Sequence, residues 1–181
     1  MFGIPLHPLV VHFPIVLAVL LPISVVIALL VIRKGATPRR VWSVPVAVAA
    51  ALTLSAWVAT QTGESQEDRV ERVVARGALH GHEEAAERFL VLSGVLVVVA
   101  AAGLARGTVG HAARLVTAAG ALGMVAAGVQ VGHSGGLLVY REGAASAYTG
   151  PVTGPIGDVS RTNADVMTKP VDNDPNEGDR R

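Results

Sequence analysis

The chain carries no charged residue from Met1 to Ile32, and Arg33 and Lys34 close that stretch abruptly. Within it, Ile15 to Ile32 supplies enough apolar helix, at about 1.5 Å rise per residue, to cross most of a ~30 Å hydrocarbon core. Three more apolar blocks follow, Val41 to about Thr60, Phe89 to Ala105, and Leu115 to about Val131, with polar residues confined between them. This pattern predicts an all-α polytopic membrane protein. Residues 1–143 form a four-transmembrane-helix bundle, and the Gly-, Pro-, Asp- and Asn-rich residues 144–181 form a disordered polar tail.

Local signals refine the boundaries. The first helix is expected to start at Pro8, because proline suits a first turn and disfavours an α conformation at His7. Pro14 and Pro22 should loosen or bend it. Trp42 and Trp57, near the two ends of the second block, fit the two interfacial belts. Glu64 to Arg76 reads as a short surface helix, with Gly77 and Gly81 interrupting before a third helix opens near His82. There Glu84 and Arg88 form a supportive i,i+4 pair. In the fourth block, Gly128-x-x-x-Gly132 allows close backbone approach to another helix.

Composition sharpens the membrane reading. Only 16% of the 181 residues are charged, against about a quarter in soluble domains. The chain has no cysteine, which excludes disulfides, thiolate metal sites, iron–sulfur clusters and covalent c-type haem. The net charge of +1 is scattered over loops, so no basic stripe points to nucleic acid. The first block lacks a basic n-region and an Ala-x-Ala site, so it is expected to stay as a spanning helix. No nucleophile–base pairing, phosphate loop or zinc-protease spacing supports a hydrolase.

Charge asymmetry orients the bundle. The segments 33–40 and 106–114 carry six basic residues and no acid, whereas 61–87 carries seven acids and three arginines. The positive-inside rule then places both short basic loops in the cytoplasm and both termini outside it, as in a multi-pass plasma-membrane protein. His7, His12, His80, His82 and His133 fall at the outer face, and His111 falls inside.

Imidazole is a versatile ligand for iron, copper or zinc, and haem iron accepts it axially. Gln130, the sole amide inside an apolar block, should point into the bundle, and His133, one turn on, should share its face. His12 and His82 open the first and third helices. Axial ligands are therefore expected among His133, His12 and His82, in that order, with Gln130 nearby and His7 outside the helix in a supporting role. His80 and His111 are expected to be surface or capping groups.

Four segments carry a resemblance: His7-Pro-Leu-Val-Val-His-Phe-Pro-Ile15, Thr62-Gly63-Glu64, His82-Glu83-Glu84, and Gly132-His133-Ser134-Gly135-Gly136-Leu137-Leu138-Val139-Tyr140. Over residues 5–143 the chain resembles the bacterial domain of unknown function 2231 family, which implies a four-span inner-membrane protein. The function expected from the histidines is non-covalent haem b binding and one-electron transfer, between quinol in the lipid bilayer and an outer-face redox protein. A copper, zinc or iron ion on the same histidines, and a structural subunit without cofactor, are the alternatives. Association into a homo-oligomer is compatible with each.

Overall fold

The computed structural model describes residues 6–148. They form six α-helices: α1 (Leu6–Val10), α2 (His12–Arg33), α3 (Pro38–Glu64), α4 (Glu67–Val70), α5 (Arg76–Ala102) and α6 (Gly107–Tyr140), followed by a 3-10 turn over Ala144–Ala147. Four helical stretches are long and apolar enough to cross a membrane: Leu6–Arg33, Pro38–Glu64, Arg76–Ala102 and Gly107–Tyr140. They pack as a closed ring in which α2 meets α3 and α6, and α5 meets the same two. The links after α2 and α5 lie at one end of the bundle. The helix starts and ends that carry His7, Thr62, His82 and Ser134 lie at the other.

The residue distribution is that of a bundle in lipid. Its interior is built largely from small side chains, Ala18, Ala28, Ala49, Ala56, Ala100 and Ala121, with Leu21, Val25, Leu52, Leu96 and Met124 between them. The outside carries Ile15, Val19, Ile23, Val26, Leu30, Val91, Val95 and Val98, all exposed. Contiguous aliphatic surface on this scale calls for an apolar surrounding. Small interior residues let helix backbones approach closely where there is no water to squeeze out.

The α5–α6 seam runs in a regular antiparallel register. His82 lies against Gly135, Phe89 against Gly128, and Leu96 against Gly120. At the far end the Arg114 side chain reaches the Gly103 carbonyl. At Gly135 and Gly120 a larger α5 side chain occupies the space a Cβ would need, whereas at Gly128 a Cβ would only touch Phe89, at 3.5 Å.

Several boundaries differ from expectation. Helix α1 already includes His7, because a pre-proline residue in the first turn is strained only mildly and the helix gains its packing on α3. A break follows at Val11, where Pro14 has no N–H to offer the Val10 carbonyl. Gly77 and Gly81 do not interrupt α5, and the glycines at 132–136 do not end α6. Packing outweighs the roughly 1 kcal/mol per glycine that propensity would predict. The surface helix expected over 64–76 shrinks to α4. Ala144 packs with Val74, Leu79 and Leu138, one residue past the expected boundary at 143. Residues 149–181 of the expected tail lie outside the described residues.

Trp42 is the clearest correction. Expected at the lipid interface, it is fully buried, at 0% exposure, and its indole N–H donates to the Ala100 carbonyl at 2.9 Å. Arg114, 8% exposed, lies beside it and donates to the carbonyls of Gly103 at 2.8 Å and Ala105 at 3.2 Å. Gly103 is the C-cap of α5 and Ala105 lies in the link after it, at a helix end where a cation also suits the dipole. Trp57, by contrast, is half-exposed toward the surroundings, as expected.

Candidate functional site

Two imidazoles meet at the end of the bundle away from the basic links. His7 comes from α1 and His82 from the second turn of α5, and their rings approach edge to face, with centroids 6.4 Å apart and planes at 80°. Both are half-buried. Each ring lies on a glycine of a neighbouring helix: a Cβ at Gly63 would come to 3.2 Å from His7 Cε1, and one at Gly135 to 3.0 Å from His82 Cε1.

The hydrogen bonds fix which nitrogen of each ring is protonated. His7 Nδ1 lies 2.9 Å from the Ala59 carbonyl, an acceptor only, so Nδ1–H donates. Thr62 Oγ1 donates to that same carbonyl at 2.9 Å and stands 3.5 Å from the ring nitrogen. His82 Nδ1 lies 2.9 Å from Ser134 Oγ. The Ser134 hydroxyl spends its hydrogen on the Val131 carbonyl at 2.9 Å, so its oxygen accepts from His82 Nδ1–H. In the neutral tautomer that these bonds select, Nε2 of each ring is the acceptor left for a ligand.

The structure sorts the expected site residues into two groups. His82 and His7 are brought together, and His7 moves from a supporting position to a central one. His12 is not part of the pair. It is exposed, and its Nδ1 reaches only the Leu9 carbonyl of the preceding turn at 3.3 Å. Gln130 and His133 do not point into the bundle. Both are exposed on the outer side of α6, whose inward face is set by Ala121, Met124, Gly128 and Leu138. With Phe89 opposite Gly128, Gln130 falls level with Glu87, where charged residues already line α5. An amide at that height does not need burial. His80 is exposed beside Glu83 at 3.9 Å, and His111 is exposed at the far end.

Ser134, Thr62 and the two glycines are the residues that histidine counting misses. Their signal was present in the segments Thr62-Gly63 and His133-Ser134-Gly135, where a hydroxyl stands next to a glycine. In each case the hydroxyl lies near an imidazole Nδ1 and the glycine makes room for its ring.

Taken together, a closed ring of four apolar helices with an imidazole pair at one end defines a multi-pass helical membrane protein. A family model described as a predicted membrane protein, domain of unknown function 2231, matches residues 3–147. The chain belongs to that family. No curated protein and no solved structure matches it.

Proposed function

We propose that this membrane protein holds a metal centre through Nε2 of His7 and His82, and that the centre is the iron of haem b, serving one-electron transfer at one membrane face. The observation that carries this reading is the tautomer of the pair. Metal-bound histidines characteristically donate their other ring N–H to a carbonyl or similar acceptor, which orients the ring and raises its basicity. Ala59 and Ser134 are those acceptors.

The donor chemistry fits the group: two imidazoles, 6.4 Å apart between ring centroids, would hold the iron, and imidazole is a common haem ligand. Among the described residues no group of three or more His, Asp or Glu is placed to hold an ion, so a bare zinc ion would lack half of its usual tetrahedral set. A copper ion is the second reading, favoured by a pair of imidazoles with no third His, Asp or Glu grouped with them among the described residues.

Haem would supply one-electron chemistry. The chain's own contribution is to engage both Nδ1 atoms in hydrogen bonds, which leaves Nε2 of each ring as the nitrogen that would hold a ligand. The basic links suggest that this end faces away from the cytoplasm of a bacterial inner membrane, with both termini on that side. Electrons would then pass between quinol in the bilayer and a redox protein outside. Absorption spectra of the purified protein, oxidised and dithionite-reduced, with metal analysis alongside, test the reading. A Soret band that shifts on reduction is expected. Stoichiometric copper without a Soret band selects the second reading, and neither haem nor metal after expression with ample supplies of both overturns the metal centre.

A further inference from the structure

The opposite end of the bundle is a concentrated cationic surface. Arg33 and Lys34 close α2, Arg39 and Arg40 open α3, and Arg106 precedes α6; all five are exposed. Neither link contains an acid, and the ion pairs found among the described residues, Arg76–Glu71, His80–Glu83 and Arg88–Glu84, all belong to the other end.

The helix starts at this end carry no acid that would neutralise those cations. Helix N-termini ordinarily gather acidic residues and side-chain caps, which satisfy the free N–H groups and the positive end of the dipole. Here α3 and α6 have neither: no side-chain cap at Thr37 or Arg106, and no acid in either first turn. Arginines stand there instead, where the dipole disfavours them. Trp42 brings the two helix starts to one corner. It lies one turn into α3 and is packed so tightly on Gly103 that a Cβ there would come to 2.3 Å from its Nε1. Arg39 and Arg40 thus stand near the link that carries Arg106.

We propose that this end binds the phosphate headgroups of anionic phospholipids. Phosphate answers the unpaired cations, since guanidinium groups are its standard partners. The lipid source follows from what lies just below the cations: Leu30, Val31, Val44 and Val109 are exposed there. A ligand with an anionic head and apolar chains covers both zones, whereas a soluble polyanion covers one. This inference stands apart from the histidine site and does not need it.

The test uses the full chain, purified and reconstituted in nanodiscs of phosphatidylcholine alone or mixed equally with phosphatidylglycerol. Retained lipid is read by native mass spectrometry and thermal stability by the unfolding midpoint. The wild type should retain phosphatidylglycerol preferentially and unfold at a higher temperature in the mixed discs. The triple variant R39Q/R40Q/R106Q alters exposed side chains only, so it should fold. At about fivefold per charge, it should lower the preference on the order of a hundredfold. R72Q, at the other end, should leave the preference unchanged. Equal retention of the two lipids by the wild type, or an unchanged preference in the triple variant, overturns the proposal. Inorganic phosphate reproducing the whole stabilisation in phosphatidylcholine discs overturns the lipid as the source.

Discussion

The imidazole of His82 lies flush on the α6 backbone at Gly135, where a Cβ would come within 3.0 Å of its Cε1. Gly135→Ala should therefore displace the ring, lower stability by about 1–3 kcal/mol, and weaken whatever His82 holds. Gly136→Ala is the control, since no atom lies within 4 Å of a Cβ there. It should be neutral or slightly stabilising. Unfolding midpoints of the two variants in one detergent separate these outcomes, and equal midpoints would count against the seat.

Ser134→Ala removes the acceptor for His82 Nδ1–H and leaves a half-buried donor unpaired. The expected cost is about 1–3 kcal/mol, together with a roughly 10–100-fold loss of metal or haem affinity. Thr62→Val should matter less, because its 3.5 Å contact with His7 is too long to count as a strong bond. Cofactor titrations of both variants check the order of the effects.

Among the histidines, His7→Ala and His82→Ala should each abolish or strongly alter the cofactor spectrum. His12→Ala, His133→Ala and His111→Ala should leave it intact. Loss of the spectrum in His133→Ala with retention in His7→Ala would place the centre elsewhere.

Trp42→Phe removes the indole donor to Ala100 while keeping an aromatic ring in the core. It should lower stability by about 0.5–1.5 kcal/mol through the lost hydrogen bond, since the Ala100 carbonyl keeps the Gly103 N–H. Gly103→Ala should be worse, because the methyl would collide with the indole. Both effects should appear as lower unfolding midpoints, with the cofactor spectrum unchanged in the fraction that folds.

At the histidine end, Tyr148 donates its hydroxyl hydrogen bond to Gln66, with the Arg69 guanidinium 5.6 Å above its ring. Burial raises its ionisation above the ordinary tyrosine value of 10.0, and Arg69 opposes this in part. A folded-state value raised above the unfolded one gives a stabilising contribution that is whole below about pH 10 and is lost as pH rises through the folded value. Stability of the wild type should therefore fall more steeply in that alkaline window than stability of Tyr148→Phe, by pH-dependent thermal melts.

The four spans were legible because lipid exposure requires long uncharged runs, and the Glu84–Arg88 pair was legible from i,i+4 spacing alone. The site was legible as a set of segments but not as a set of contacts. Pro8 argues locally against an α conformation at His7, and nothing local announces that α3 offers the Ala59 carbonyl 52 residues away. Gln130 differs: its place in an apolar block argues for burial, whereas its height is set by the pairing of α5 with α6. Trp42 failed for a similar reason: an indole at a block end fits both a lipid interface and a partner carbonyl across the bundle.

The matched steps along α5 and α6 make the seam a ruler. His82 and Gly103 are 21 positions apart on α5, about 32 Å at 1.5 Å per residue, which is close to the thickness of a bilayer's hydrocarbon core. One residue gained in α5 alone between Phe89 and Leu96 would turn His82 by about 100° and carry it off Ser134 and Gly135. Length along this seam can therefore change without losing the imidazole seat only where both helices change together, and by nearly whole pairs of turns. The spacing between the two ends is in this sense quantised, and drift toward a thicker or thinner membrane has to come from tilt.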